Sequence, residues 1–311
     1  MENKERPLLS ICIPTYNGAN RISSTLKYLF EGVYLCDHLI EIIVADNHSE
    51  DDTELILKSI SSNKDNIKFG YVRYDENIGY NYSIINILKN LANGEYIWLI
   101  GDDDFVIPSS LPFICSVLNS RSFDYVHLNH LVIKKEEEIG AFIDVKEYLF
   151  REGEMNSVID NNAKYSDLMA TFMSSSIGKL DVIKQVNFGV FNKESWSDFR
   201  SVFPVSYIMV SCFAKLKCAE IITPSIICVQ HEKNWDDKLN VMKLQYLPDL
   251  LVEYEKRGLD LPNNKFLIAK GMVYSIFTNP LNIKYVKICH YSFLFQKKVF
   301  KEICKRIKRI L

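Results

Sequence analysis

Three adjacent carboxylates, Asp102, Asp103 and Asp104, follow the apolar run EYIWLIG of residues 95–101. Adjacent negative charges repel one another, and the end of a strand offers them no local stabilisation in return. Mg²⁺ and Mn²⁺ prefer hard oxygen ligands, and proteins hold them with one or two carboxylates together with the phosphates of a substrate. The cluster therefore predicts a divalent-cation site that connects the protein to a diphosphate. A solvated acidic turn is the alternative interpretation.

Two further polar clusters follow apolar runs nearer the N-terminus. Asp46 and Asn47 come directly after IEIIVA, where a carboxylate and an amide can read a base or a ribose. Asn77, Gly79 and Asn81 precede a helical pattern, and glycine permits a backbone conformation that other residues resist. Each cluster taken alone also fits an ordinary turn or an Asn-capped helix.

The elements that must position these clusters alternate between two periodicities. Apolar runs typical of buried strands are residues 8–16, 40–47 and 95–101, and residues 67–76 form a less regular strand pattern. Helical patterns lie between them at residues 20–32, 49–60 and 81–94. In the second of these, Ser49 and Asp52 fit a capping box. This alternation predicts a parallel sheet covered on both faces, with its ligand site beyond the carboxyl ends of the strands. The polar clusters fall at those ends.

The pattern is looser after residue 105. Residues 123–135 and 220–232 look like strands, and residues 206–217 look like a buried helix.

Composition narrows the class of protein. The 311 residues are 48% hydrophobic and 24% charged, which is typical of a globular protein. The net charge of −2 argues against a protein that binds polyanions over its whole surface. The eight cysteines form no CxxC pair, which favours reduced thiols over a disulfide framework or a zinc site. The N-terminus lacks a signal-peptide pattern, and no apolar run reaches the ~18 residues of a spanning helix. We therefore expect a cytoplasmic protein.

Three segments, LSICIPTYNG, IEIIVADNHSEDDT and ENIGYNYSIINILKNLANGEYIWLIGDDD, together resemble the family 2 nucleotide-diphospho-sugar glycosyltransferases. The resemblance covers roughly residues 8–110 and is closest in character to bacterial enzymes that build surface polysaccharide, such as O-antigen or capsule. It implies an α/β fold of GT-A type, Rossmann-like, with a mostly parallel central sheet flanked by helices. It also implies an inverting, metal-dependent glycosyltransferase using Mn²⁺ or Mg²⁺. Such an enzyme moves a sugar from a nucleotide-sugar donor to a glycan acceptor, here expected to be lipid-linked.

The resemblance assigns roles position by position. The residues that it implies for the nucleotide and sugar pocket are Pro14, Thr15, Tyr16, Asp46, Asn77 and Gly79. The first three would lie near the base, the aspartate would bind the base or ribose, and the last two would border the nucleotide and sugar.

The acidic motif of the family is usually Asp-x-Asp-Asp, and alignment on YIWLI puts its first Asp at Gly101. Asp103 then takes the place of the metal-binding carboxylate. The contact that the first Asp of the motif usually makes is then supplied by Asp102 or by Asp104. We expect Asp102 at the donor and Asp104 at the metal. In similar enzymes a His after the last strand approaches the metal or diphosphate, and His231 occupies a matching place. A surface histidine is the alternative.

An inverting transfer needs a carboxylate or a His that takes the proton from the acceptor hydroxyl. Family members often carry a Glu-Asp pair before the helix that precedes the last strand, but here that place reads SVFPVSYIMVSC, without an acid. The nearest carboxylates upstream are Glu194 and Asp198, of which Asp198 is the predicted catalytic base. A carboxylate solvated at a turn or helix end is the alternative.

We expect a GT-A catalytic domain at residues 1–236, with a donor-binding half at 1–105 and an acceptor-side half at 106–236. Residues 237–311 form a predicted helical extension whose basic amphipathic end, FQKKVFKEICKRIKRIL, can lie on the anionic inner face of a cell membrane. A packed terminal helix fits this pattern equally well. Nucleic-acid binding is disfavoured because the basic residues are confined to one short end.

Two other functions remain open from the sequence. A non-catalytic nucleotide- or glycan-binding scaffold is favoured by Gly101 and the missing acid pair. A nucleotidyltransferase would share the sheet and the metal carboxylates, but PTYNGANR offers it only Gly18 and Arg21 as a phosphate loop. The donor sugar, the base and the acceptor are not predicted.

Overall fold

The structure is a computed structural model. It describes residues 6–60, 64–133, 158–160, 172–192, 194, 196–213, 217–229, 238–258, 269, 272, 275, 282, 284, 286 and 287. The strands within these ranges are β1 (Leu9–Thr15), β2 (Ile40–Asp46), β3 (Ile67–Arg73), β4 (Tyr96–Leu99), β5 (Asp104–Val106), β6 (Tyr125–Ile133), β7 (Val158–Asp160), β8 (Ser176–Lys179) and β9 (Cys218–Val229). The α-helices there are α1 (Ile22–Val33), α2 (Thr53–Lys58), α3 (Tyr80–Asn86), α4 (Ser110–Asn119), α5 (Leu180–Ile183), α6 (Phe199–Val202), α7 (Pro204–Phe213), α8 (Leu239–Val241) and α9 (Leu247–Lys256).

The strands form one sheet in the order β3-β2-β1-β4-β8-β6-β9-β5, with β7 paired to β9. The first four strands in that order are parallel, as the strand and helix alternation predicts. β8 is antiparallel to both β4 and β6, so it joins the parallel half to a mixed half. The carboxyl ends of β1, β2 and β4 therefore lie along the same edge of the sheet.

Helices cover both faces of the parallel half. Along β1, Ile11 and Ile13 belong to the hydrophobic cluster that includes Leu26 of α1. Cys12, between them, belongs to a second cluster on the opposite face with Ile84 of α3. This alternation follows from the two-residue period of a strand, and it explains why the first strands read as continuous apolar runs.

The later elements also follow the sequence pattern. β6, β9 and α7 occupy the segments predicted as two strands and a buried helix. Opposite Asn129, the register of β6 and β9 shifts, and the extra residues on β9 include Pro224. Proline has no N–H to give to a ladder, so a bulge is where a strand tolerates it.

Several predictions fall outside the described ranges. His231 and the basic C-terminal segment are among them, and the division of the chain at residue 236 stays a prediction. Residues 239–256 are helical, and Tyr246 OH donates to the Trp196 carbonyl at 2.7 Å. Across the described part of the chain, none of the helices combines the length and apolar character that a bilayer crossing needs.

Candidate functional site

A cleft of about 470 Å³ opens at the carboxyl ends of β1 and β4, where β2 also ends. It brings together most of the residues predicted to bind the donor and metal. Those in its lining are Pro14, Thr15, Tyr16, Asn77, Gly79, Asp102 and Asp103. Segments far apart in sequence meet here because parallel strands end at the same edge of the sheet.

Asp102 is held by side chains from β1 and from the start of α1. Thr15 Oγ1 donates to Asp102 Oδ2 at 2.6 Å. The Arg21 guanidinium makes a two-pronged contact, with Nη2 3.0 Å from Oδ2 and Nε 3.3 Å from Oδ1. Thr25 Oγ1 donates to the Asp102 carbonyl at 2.8 Å, so the backbone is fixed as well. The hydrogen bond with Asp102 raises the pKa of Arg21, which keeps the guanidinium charged.

Asp103 and Asp104 lie in different environments although they are adjacent. Asp103 lines the cleft. Asp104 begins β5, is 5% exposed, and accepts a hydrogen bond from Ser174 Oγ. Burial, together with the charge of Asp103, raises the pKa of Asp104 to about 7. The Asp104 carboxylate is therefore packed against Ser174 and is not among the described residues that line the cleft. Its role at a metal stays a prediction.

Gly101 leaves room for these carboxylates. A Cβ at this position would stand 2.7 Å from Asp104 Oδ2 and 2.9 Å from Asp103 Oδ1. The Gly101 N–H donates to Ser174 Oγ at 3.0 Å, and the same hydroxyl donates to Asp104. The glycine that replaces the usual first Asp of the family motif is thus part of how this chain arranges its acidic cluster.

Two asparagine side chains connect the end of β2 to the start of α3. Asn47 Nδ2 donates to Asn77 Oδ1 at 2.9 Å, and Asn47 Oδ1 accepts from the Ile78 N–H at 2.9 Å. Asn77 Oδ1 also accepts from the Gly79 N–H at 2.9 Å. Gly79 has a φ of +83°, in the left-handed region that glycine adopts without a Cβ clash. The conformation of this wall of the cleft is therefore fixed by its own amides.

The loop after β2 is tied to the loop after β1. The Asn17 N–H donates to Ser49 Oγ at 2.9 Å, and the Glu50 N–H donates to Asn17 Oδ1 at 2.8 Å. The predicted capping box is wrong, because Asp52 is the N-cap of α2 and makes no side-chain cap bond. Ser49 instead donates to Asp46, which links the loop to the strand.

Asp46, at the end of β2, is fully buried and does not appear in the described lining of the cleft. Its Oδ1 accepts from the Ser49 N–H at 2.8 Å, and its Oδ2 accepts from Tyr71 OH at 3.0 Å. Arg73 Nε lies 3.6 Å from the same Oδ2. Binding of the base or ribose by Asp46 stays a prediction, and its neighbour Asn47 is the side chain that reaches the cleft.

Asp198 lies elsewhere, at the N-cap of α6. Its Oδ1 accepts from the N–H groups of Arg200 and Ser201 at 2.9 Å each, and Arg200 Nη2 lies 2.6 Å from Oδ2. It lines a separate cavity of about 450 Å³ that also includes Tyr246. The structure does not bring Asp198 to the cleft of Asp103, so its catalytic role stays a prediction that this geometry does not support.

The cleft also contains residues that sequence reasoning did not assign to it. Tyr80 and Ser83, three residues apart, place one face of α3 along the wall. Their position directly after Gly79 was an available signal, because residues at this spacing share a helix face. Met173 had no such signal, since it arrives from a segment about 70 residues beyond the acidic cluster. Arg21 was noted only as a weak phosphate-loop feature.

The described residues fit a divalent cation that the protein binds through few side chains. Among the residues that the structure describes, no group of three or more His, Cys, Asp or Glu side chains forms a metal cage. Asp103 brings a carboxylate to the cleft, while Asp102 is engaged by Thr15 and Arg21. This donor set fits a cation that takes its other ligands from a diphosphate and water, as Mg²⁺ commonly does.

Comparison with known proteins gives a family match. The family model of Glycosyl transferase family 2 matches residues 10–180. Abequosyltransferase RfbV of Salmonella typhimurium is 26% identical over 245 residues, which are 74% of this chain and 69% of that protein. A Campylobacter jejuni protein, GalNAc(5)-diNAcBac-PP-undecaprenol beta-1,3-glucosyltransferase, is 28% identical over 167 residues. That second match covers 53% of this chain and 49% of the relative, about half its length.

Solved structures match over most of the chain. TarS of S. aureus in complex with UDP-GlcNAc superposes with a TM-score of 0.59 at 14% identity, covering 92% of this chain and 79% of that chain. The mannosyltransferase PcManGT of Pyrobaculum calidifontis, in complex with GDP-Man and Mn²⁺, gives 0.55 at 16% identity, covering 98% and 81%. At such identities the likeness shows the fold alone. The predicted GT-A fold class is confirmed.

Proposed function

Because the chain belongs to glycosyl transferase family 2, we propose that this glycosyltransferase moves a sugar from a nucleotide diphosphate donor to a lipid-linked glycan in surface polysaccharide synthesis. The observation that carries the proposal is the cleft at the carboxyl ends of the parallel strands. Asp103 lines it together with a paired Asp102 and Arg21, and two tyrosines stand in the same lining.

Charge in the cleft supports a metal-dependent donor site. Its described lining carries one cation, Arg21, and two carboxylates, Asp102 and Asp103, for a formal charge of −1. A diphosphate is itself an anion, so its binding there needs further positive charge. When bound at Asp103, Mn²⁺ or Mg²⁺ would supply Lewis-acid stabilisation of the departing diphosphate.

The aromatic and amide groups suit the nucleoside and sugar. Tyr16 and Tyr80 are 42% and 41% exposed, and they offer flat surfaces against which a base can pack. Asn47 and Asn77 are already oriented by their mutual hydrogen bond, so donor binding does not have to order them. Preorganisation of this kind lowers the entropy lost on binding.

The relatives support the nature of the acceptor. The name of the Campylobacter protein describes an acceptor carried on PP-undecaprenol, and the Salmonella protein is named for transfer of abequose. We extend a lipid-linked glycan acceptor to this chain by that similarity. A peripheral position at a membrane through the basic C-terminal segment stays a prediction, as does inversion at the anomeric carbon.

Release of a nucleoside diphosphate tests this function. Purified full-length chain is incubated with Mn²⁺ and a panel of UDP-, GDP-, CDP- and dTDP-sugars, and release is followed with time. We expect turnover with at least one donor, loss of turnover with EDTA, and a decrease on the order of 100-fold or more for Asp103→Asn.

Asp181→Asn is the matched control, because Asp181 is an exposed aspartate that pairs with Arg6 outside the cleft. It should keep the wild-type rate. Release that is unchanged in Asp103→Asn and in EDTA would overturn the proposal. The absence of both turnover and ligand-induced stabilisation with every donor would overturn it as well.

A further inference from the structure

Arg21 occupies a distinctive position in the cleft. It is the residue directly before α1, its side chain is 35% exposed, and it lines the cleft beside Asp102 and Asp103. Of the described residues in that lining, it is the only cationic one. Among the described residues of the lining, Arg21 is therefore the one positively charged group that a diphosphate entering the cleft can contact.

The guanidinium is only partly used by its present contacts. Nε and Nη2 are directed to the Asp102 carboxylate at 3.3 and 3.0 Å. Within the described part of the chain, Nη1 makes no hydrogen bond. A guanidinium carries five N–H donors in a planar arrangement, so it can hold a carboxylate on one side and bind a phosphate on the other. A lysine ammonium lacks this geometry.

Asp102 is suited to hold this arginine in place. Its carboxylate is 13% exposed and receives Thr15 Oγ1 as well as the two guanidinium nitrogens. Thr25 fixes its backbone carbonyl. With three donors already on its carboxylate, Asp102 orients Arg21, and this differs from the donor-contact role that the sequence resemblance implies for Asp102.

We propose that Arg21, oriented by Asp102 and Thr15, binds the diphosphate of the donor directly. This inference rests on the proposed function, because the anion it assigns to Arg21 is the donor diphosphate. Arg21 is then a donor-binding residue that acts beside the cation at Asp103, and Asp102 and Thr15 are positioning residues. Two positive groups would then neutralise the diphosphate. One is the Arg21 guanidinium of the chain, and the other is the cation at Asp103.

Ligand binding by the full-length chain in Mn²⁺ tests the inference. The nucleoside diphosphate that the wild type binds most tightly is chosen from UDP, GDP, CDP and dTDP, and its affinity is measured by calorimetry beside that of the matching monophosphate. One lost charged hydrogen bond corresponds to about 10- to 100-fold in affinity. We expect Arg21→Met to lower the affinity for the diphosphate by this factor and the affinity for the monophosphate much less. The diphosphate affinity of Arg21→Lys should lie between those of wild type and Arg21→Met.

Two further variants separate binding from structure. The double variant Arg21→Met, Asp102→Asn removes both charges, so it leaves no unpaired aspartate and keeps the net charge of the chain. It should lose diphosphate affinity like the single variant. Arg6→Met removes an arginine that contacts Asp181 through both Nη1 and Nη2 outside the cleft, and it should bind like wild type.

The inference would be overturned if Arg21→Met and Arg21→Lys lowered the affinities for monophosphate and diphosphate equally, or lowered neither. The glycosyltransferase proposal would stand in either case. If the wild type binds none of the diphosphates, both proposals fail together.

Discussion

Replacement of Ser174 by alanine tests whether the Ser174 hydroxyl stabilises the acidic cluster. Ser174 Oγ donates to the Asp104 carboxyl and accepts from the Gly101 N–H at 3.0 Å. Its backbone carbonyl accepts from Trp98 Nε1 at 2.6 Å, and alanine keeps that bond. The substitution therefore removes only the hydroxyl that joins the two ends of the segment Gly101–Asp104.

The expected loss follows from the two groups that each lose a hydrogen bond to this hydroxyl. Asp104 is 5% exposed, so water cannot replace the hydroxyl at its carboxyl. Loss of a hydrogen bond at a buried carboxyl costs about 1–3 kcal/mol, and loss of the bond from the half-buried Gly101 N–H adds a smaller amount. We expect Ser174→Ala to lower the free energy of unfolding by about 2–4 kcal/mol.

The neighbouring serine is a matched control. Ser175 is also buried, but its Oγ donates only to the Phe172 carbonyl at 2.7 Å, three residues away. Loss of one such bond costs about 1 kcal/mol. Urea unfolding followed by tryptophan fluorescence, to which buried Trp98 contributes, should show Ser174→Ala as the less stable variant. Equal midpoints for the two variants would refute the idea that this hydroxyl supports the cluster.

Two further predictions address the glycine of the cluster and the mixed half of the sheet. Gly101→Ala places a Cβ 2.7 Å from Asp104 Oδ2, so we expect the Mn²⁺ concentration for half-maximal donor turnover to rise roughly 10-fold. Gly70→Ala is the control, because its Cβ would lie 3.9 Å from its nearest neighbour, the Ile42 carbonyl oxygen, and it should leave that Mn²⁺ concentration unchanged. The same Mn²⁺ concentration for both variants would contradict the prediction. Burial lowers the pKa of His127 to about 4 from an ordinary value of 6.5, so the unfolded chain binds a proton before the folded chain does. The contribution of His127 to the free energy of unfolding should therefore decrease by about 3 kcal/mol between pH 6.5 and 4, and urea titrations should show wild type losing about that much relative to His127→Gln over this range.

The parallel half of the sheet and much of the cleft were predictable because the information is local. β1, β2 and β4 are each buried on both faces, which gives continuous apolar runs, and polar residues directly after them must lie at the ligand edge. The acidic cluster that contains Asp103 was found by this rule, whereas the role of Thr15 came from the family resemblance.

The remaining features depend on tertiary contacts that have no local signature. The pairing of Arg21 with Asp102 joins residues 81 positions apart, and Ser174 reaches Asp104 across 70 positions. The sequence pattern also gives equal weight to adjacent carboxylates, whereas β5 turns Asp104 inward and leaves Asp103 at the cleft. Asp198 illustrates the same difficulty, since an acid upstream of a helix serves as readily for capping as for catalysis.

The position of β8 has a consequence for synthesis on the ribosome. β1 to β4 are made within the first 99 residues, but the outer edge of β4 pairs with Ser176–Lys179. At about 5–20 residues per second, roughly 4–16 s separate the translation of these two strands. During that interval the β4 edge lacks its β8 partner, and an unpaired strand edge is a site at which another extended chain can pair.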